Sequence, residues 1–327
     1  MDRFIVGTGR CGSTLLSRML AQNPASLSVF EYFNGLDVFR RFGLDPMTGL
    51  EFAELIGAEQ PIVTAVLRRG YEVAEITYPF EAGGRYARAD PLPWVLVSML
   101  PRLSQQPDSL YDELTAFCRS LPTQPPVRHH RALFQWLCMR LQRDHWIERS
   151  GSSVDYLEAL NESFPAARFL HIHRDGHEAA LSMREHHAYR LPIAILYRAA
   201  EGAGPSLSQV DFAASPEPSD AISEILAGQP ALAYYGRYWS DQIVHGFRAR
   251  ESLEPDRYLE IRFEDLVAEP AGEFARVCEF FELSGGDWVE RAVGLVGGAP
   301  DRRFPRLSAS EQARLREACA PGRALLG

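Results

Sequence analysis

Phe4-Ile5-Val6-Gly7-Thr8-Gly9-Arg10-Cys11-Gly12-Ser13-Thr14-Leu15-Leu16 is the stretch on which the fold turns. Phe4, Ile5 and Val6 read as a short buried strand, and Gly7 to Gly12 as a glycine-rich turn. Residues 13–22 carry Leu15, Leu16, Met19 and Leu20 at helical spacing, and Asn23-Pro24 stops them. Residues 27–30 then form a second strand. Strand, loop, helix and strand in that order favour parallel pairing and an α/β sheet. Glycines let the backbone close tightly around an anion. The amides that open the next helix point at that anion, with the helix dipole behind them.

Working outward, residues 35–150 look mainly helical, punctuated by Pro91, Pro93, Pro107, Pro122, Pro125 and Pro126. The run R-F-L-H-I-H over 168–173 is a strand, followed by Arg174-Asp175-Gly176 and a helix to about 188. Residues 202–220, rich in Gly, Ser, Ala and Pro, read as a flexible loop. Residues 231–250 form a helix, 257–263 alternate at period two as a strand, and 270–281 are helical again. A basic loop, Asp301-Arg302-Arg303-Phe304-Pro305-Arg306, precedes a last helix. The expectation is one α/β domain over 1–327. A P-loop-like central parallel sheet is flanked by helices, with a largely helical insertion at about 35–145 on the acceptor side.

The 327 residues are 46% hydrophobic and 24% charged, which supports a sizeable core. A net charge of −9 argues against non-specific binding to nucleic acid or to an anionic membrane surface. A multiply anionic ligand would therefore need its own local arginines. Cys11, Cys118, Cys138, Cys278 and Cys319 are scattered, with no C-x-x-C pair. Neither a disulfide framework nor a structural zinc site is expected, and a reducing compartment is the simple reading. No signal segment shows, and no apolar stretch reaches the roughly 18 residues that span a bilayer. These features predict a soluble, cytoplasmic, bacterial protein.

Within the glycine loop, Gly9, Arg10, Cys11, Gly12, Ser13 and Thr14 are the candidate anion contacts. Arg10 adds a fork of donors, and the Ser13 and Thr14 hydroxyls add more. A plain βα turn is one alternative. A nucleoside-triphosphate loop is the other, but it wants a lysine after its last glycine, where this chain has Ser13. The cation sits inside the loop instead, and Arg10-Cys11-Gly12-Ser13-Thr14 resembles the PAPS-dependent sulfotransferases (PAPS, 3′-phosphoadenosine 5′-phosphosulfate). In that family this loop holds the 5′-phosphosulfate.

The resemblance implies further roles. An Arg at a strand end and a Ser eight residues on grip the 3′-phosphate, which places Arg174 and Ser182. The segment Trp146-Ile147-Glu148-Arg149-Ser150 resembles one that carries a basic residue for the sulfonate, which gives Arg149 and, more weakly, Ser150; a solvated helix end is the alternative. The run 258–266, ending Glu264-Asp265-Leu266, resembles the family's later strand and turn. Arg302 or Arg303 lies where some relatives set a basic loop over the 3′-phosphate.

Sulfuryl transfer is an in-line displacement in which positioning and fixed positive charge do most of the work. Arg10 fits that task. The acceptor must also lose a proton. Glu31 ends the second strand at the sheet edge where such folds bind ligands, and it is the expected general base. Histidines are the rivals, chiefly His171 and His173, with His129, His130, His145, His186 and His187 unsupported by motif. The Cys11 thiol is not required, because the transfer has no covalent enzyme intermediate. No metal is expected. PAPS would be the donor, 3′,5′-ADP (PAP) the product, and a small molecule, lipid or carbohydrate the acceptor. A magnesium-dependent nucleotide kinase with an atypical phosphate loop remains the alternative.

Overall fold

A computed structural model describes residues 1–81 and 83–326. The chain divides into two compact units. The first comprises residues 1–57, 109–175 and 242–301, and the second 58–108, 176–241 and 302–327.

The first unit holds the sheet. Its five strands are β1 (Arg3–Gly7), β2 (Ser26–Phe30), β3 (His145–Arg149), β4 (Arg168–His173) and β5 (Tyr258–Arg262). They pair in the order β2-β3-β1-β4-β5, every pair parallel. The parallel α/β architecture expected from the loop is present, and all strand C-terminal ends reach one edge.

Side chains alternate across a strand, and here the alternation sorts by chemistry. Phe4, Trp146 and Phe169 meet one another or Phe134 and Phe164 on one face, with ring centroids 4.7–5.5 Å apart. Their neighbours Ile5, Ile147 and Leu170 face the other way, into a core of Leu16, Met19, Leu20, Phe274, Val277 and Phe281. Helix α1 (Ser13–Leu20) and the helix Pro270–Phe280 supply that core. A sheet buried on both faces explains why β1 reads as an unbroken apolar run.

One strand escaped the sequence. Residues 145–149 looked like the end of a helical region, yet they form β3, in the middle of the sheet between β2 and β1. Glu148 and Arg149 disguise it, because two consecutive charges are rare in a fully covered strand. Both are buried, so the solvated helix end is excluded and their charges must be answered inside the protein.

The segment after β2 is fixed by a buried histidine. His130 Nε2 lies 2.7 Å from the Arg41 carbonyl oxygen and must donate there, so Nδ1 accepts from the Tyr32 hydroxyl at 2.8 Å. Burial pushes this imidazole down to about 3, so it is neutral at physiological pH.

The second unit is helical. Helices Pro61–Arg68, His187–Ala200 and Ala221–Ala227 share a core of Ala65, Val66, Leu191, Ile195, Ile222 and Leu226. The predicted helix ending near 188 is in fact two, Gly176–Glu185 and His187–Ala200. The helices between 35 and 145 fall in both units, Gly49–Gly57 and Pro126–Arg140 in the first and Pro61–Arg68, Trp94–Val97 and Leu100–Leu103 in the second. The stretch 202–220 contains a 3-10 turn, Leu207–Gln209, closed by a capping box between Ser206 and Gln209.

Candidate active site

The loop after β1 needs backbone that only a few residues adopt. Gly9 and Gly12 have φ of 78° and 95°, and Arg10 joins them at 53°. Gly12 has a second constraint. A Cβ there would lie 2.2 Å from the Phe263 ring, so the loop passes where no side chain fits. Gly12 also caps α1 without a side-chain acceptor, which leaves the first-turn amides unclaimed by any cap. Cys11 points its thiol into the core beside Leu16 and Ile172, away from chemistry.

Arg149 ends β3 and reaches across to this helix. Its Nε donates to Ser13 Oγ at 3.0 Å, and its Nη2 donates to Thr14 Oγ1. Its Nη1 pairs with Glu31 Oε1. The guanidinium lies 4.4 Å from the centre of the Phe30 ring. One cation therefore ties the loop hydroxyls to the predicted base. The Arg149 side chain is 5% exposed and that of Glu31 12%, so this is a buried ion pair.

Glu31 follows β2 with φ of 54°, a left-handed conformation that is costly for a residue with a side chain. Its amide still bonds the Arg149 carbonyl at 2.7 Å, extending the β2–β3 ladder by one rung. The turn aims the carboxylate back at the loop. Oε2 accepts from Asn34 Nδ2 at 2.7 Å and from the Gly151 amide at 3.0 Å. Asn34 is itself held, since its Oδ1 accepts from the Tyr156 hydroxyl at 2.9 Å. Asn34, Gly151 and Tyr156 escaped sequence reasoning, because nothing in residues 31–34 or 149–156 announces that the two loops meet.

Beneath this site lies a second carboxyl. Glu148 is 1% exposed and accepts from Ser150 Oγ at 2.6 Å, while Ser150 Oγ accepts from the Phe33 amide at 3.2 Å. Burial pushes Glu148 up to about 8, with the Glu31 charge adding to the rise against the opposing Ser150 hydrogen bond. Ser150 thus serves Glu148 and the backbone of Phe33.

The raised carboxyl has a measurable consequence. Between its ordinary range near 4.5 and about 8, the folded chain keeps a proton that the unfolded chain releases. Stability from this group is full at low pH and falls across that window, by about 1.4 kcal/mol per pH unit. E148Q abolishes the slope. Denaturant unfolding at several pH values between 5 and 8 should show E148Q gaining on the native protein as pH rises. Parallel curves would mean that Glu148 is ionised when folded.

Arg174 follows β4, its guanidinium 5.0 Å from the centre of the same Phe263 ring that excludes a side chain at Gly12. Phe263 thus packs between the loop and Arg174, a role its place at the end of the period-two run 257–263 did not reveal. Glu264 of the Glu-Asp-Leu run accepts from the Asp175 amide at 3.0 Å, so it caps the turn that carries Arg174. The histidines divide. His129 and His145 are tied to Met47 O and Ser26 Oγ. His171 and His173 flank Glu260, with ring nitrogens 3.8 and 3.6 Å from its oxygens, and these two neighbours hold that carboxyl well below the usual range.

The remaining candidates belong to the second unit. Ser182 is half-buried on the helix Gly176–Glu185. Arg303 is committed within the unit: its Nη2 donates to the Glu178 carbonyl at 3.1 Å, and its other guanidinium nitrogens pair with Glu178 and Glu185. It fastens the 301–306 loop to that helix, with help from the Phe304 amide on Glu178 at 2.9 Å. Arg302 is exposed. The unit also contains a cleft of about 500 Å³ lined by Leu67, Val73, Ile76, Tyr78, Phe80 and His186. Among the described residues no group of three or more His, Cys, Asp or Glu could hold a metal ion, and no helix is long and apolar enough to cross a membrane.

Residues 223–287 match the sulfotransferase family. No curated protein matches the chain. Among solved structures, the sulfotransferase domain from the curacin biosynthetic pathway is 12% identical, with a TM-score of 0.46 over 97% of this chain and 89% of that one. A sulfotransferase from Mycobacterium avium is 16% identical, with a TM-score of 0.44 over 98% and 75%. A mouse sulfotransferase complexed with PAP is 10% identical, with a TM-score of 0.38 over 99% and 87%.

Proposed function

We propose that this chain, whose residues 223–287 match the sulfotransferase family, moves a sulfuryl group from PAPS to a hydroxyl or amine of a small-molecule, lipid or carbohydrate acceptor. The observation that carries the reading is the joint network of Ser13, Thr14, Arg149 and Glu31 beside the left-handed loop. The matched segment lies outside that network, so segment and loop are independent lines of support.

The donor set suits the cofactor. Backbone amides, two hydroxyls and a buried guanidinium are an anion's partners, and Arg174 stands at the next strand end. PAPS, when bound, supplies the activated sulfuryl group. The chain's own residues do the rest. The loop amides, Arg10 and Arg149 hold negative charge in place, Ser13 and Thr14 orient it, and Glu31 takes the acceptor's proton. Arg174 would grip the 3′-phosphate. Because Arg303 is spent on Glu178 and Glu185, Arg302 is the better candidate for the basic loop's contact. The cleft in the second unit has the volume of small-molecule sites. Five free cysteines, all buried, suit a reducing, cytoplasmic setting.

Calorimetric titration tests the reading. The protein should bind 3′,5′-ADP with or without magnesium and bind 5′-ADP and ATP at least tenfold more weakly. Preference for ATP with magnesium would replace the sulfotransferase reading with the kinase.

A further inference from the structure

We propose that Asn34 is a positioning residue for Glu31: its carboxamide, fixed from both ends, sets the plane of the carboxylate that takes the acceptor's proton. The inference rests on the sulfotransferase reading and deepens it, by naming the group that makes Glu31 usable as a base.

A base carried on a glutamate has a positioning problem. Several rotatable bonds separate the carboxyl from the backbone, and the last of them has no sharp preference. A misplacement of about 1 Å can cost about 10²-fold in rate. The left-handed turn at Glu31 aims the side chain but leaves its far end to be fixed by neighbours. Asn34 follows closely, in the 3-10 turn Phe33–Gly35.

The Asn34 carboxamide uses both ends. Nδ2 donates one hydrogen to Glu31 Oε2 at 2.7 Å and the other to the Gly151 carbonyl. The Gly151 amide donates to the same Oε2 at 3.0 Å. Glu31, Asn34 and Gly151 thus close a ring of hydrogen bonds around one carboxylate oxygen. Turned over, the carboxamide would set its oxygen against a carboxylate and a carbonyl, so the partners dictate its orientation. At the other end Oδ1 accepts from the Tyr156 hydroxyl at 2.9 Å. Burial pushes this phenol well above its ordinary range, so it stays protonated and donates. Tyr156 is held in its turn. The Arg41 guanidinium carbon lies 4.1 Å from the centre of its ring, and Arg41 is itself buried, with Nη1 donating to the Phe33 carbonyl at 2.8 Å.

Support therefore runs from Arg41 to Tyr156, to Asn34 and so to the base. It ties Oε2 to the loops that follow β2 and β3, while Oε1 meets Arg149, the cation that also bonds Ser13 and Thr14. Asn34 acts on the reaction through Glu31, so its loss should be felt in turnover and not in nucleotide affinity.

Release of labelled sulfate from PAPS, with water as the acceptor, reads this role. Water gives its proton to Glu31 as its oxygen bonds the sulfur, and the bond from sulfur to 3′,5′-ADP breaks. N34L keeps the size of the side chain and removes its donors and its acceptor. It should lower kcat about 10–100-fold and leave the Kd for 3′,5′-ADP, read by calorimetry, within about twofold. Y156F removes one neutral hydrogen bond from behind Asn34 and should lower kcat about fivefold. Because Tyr156 works through Asn34, N34L/Y156F should be no slower than N34L. Thermal melts check folding, and should N34L fail to fold, N34S removes the amide with less bulk.

Turnover unchanged in N34L overturns the role. So does nucleotide affinity that falls along with turnover, or a Y156F effect that persists in full on top of N34L, since a merely structural Asn34 gives those two results. Native protein that binds neither PAPS nor 3′,5′-ADP overturns the sulfotransferase reading itself, a distinct result.

Discussion

Glu31→Gln should lower sulfuryl transfer by about 10²–10⁴-fold, the range that general-base removal commands, while the protein still binds nucleotide. The substitution is the same size, and the amide oxygen keeps the bonds from Asn34 and Gly151. The left-handed turn at φ of 54° is a backbone property that glutamine tolerates as well as glutamate does. What disappears is the carboxylate lone pair at Oε1. The measurement is transfer of labelled sulfuryl from PAPS to any acceptor that the native protein turns over, at saturating donor. Loss of turnover with intact donor affinity assigns the proton to Glu31. Unchanged turnover would move the base to a histidine, with His173 the first to test because it ends β4 immediately before Arg174.

How much of this was legible in the sequence depends on whether the constraint was local. The loop could be read because Gly9 and Gly12 are needed for backbone reasons that two or three residues express by themselves. β4 and β5 could be read because their patterns are those of covered and half-covered strands. β3 could not. Its charges look like a surface until Glu148 is seen to be neutralised by burial, and Arg149 to be paired with a carboxylate 118 residues earlier. No local pattern encodes a partner at that separation. Asn34 was hidden for the same reason, since its partners Gly151 and Tyr156 come from the far side of the helices that separate β2 from β3.

The basic loop at 301–306 shows the opposite hazard. Its arginines were visible, and the family resemblance suggested that Arg302 or Arg303 contacts the 3′-phosphate. Arg303, however, is consumed by Glu178 and Glu185, acids of the helix Gly176–Glu185. A count of arginines measures the supply of charge, and only geometry shows how much is already spent. Arg149 is the reverse case: one arginine, singled out in sequence by the resemblance alone, to which the structure gives four partners if the Phe30 ring is included.

Arg149→Ala should therefore be the most damaging single substitution in the site, and damaging in two separable ways. Removing the guanidinium leaves the Glu31 carboxylate, inside the protein, without its Arg149 partner. Breaking one side of a buried ion pair typically costs about 3–5 kcal/mol, and the Ser13 and Thr14 hydroxyls lose a donor as well. Denaturant unfolding at neutral pH should show that loss, as a midpoint shift with little change in slope. The double variant E31Q/R149A removes the stranded charge and should recover more than half of it. If destabilisation came from lost packing against Phe30, the double variant would be no more stable than R149A. Activity should behave differently. The double variant lacks both the base and the cation that holds the transferring group, so its turnover stays at or below that of E31Q however well it folds. A variant that recovers stability without recovering function would separate the two tasks of Arg149, balancing a buried carboxylate in the resting protein and meeting an anion in the working one.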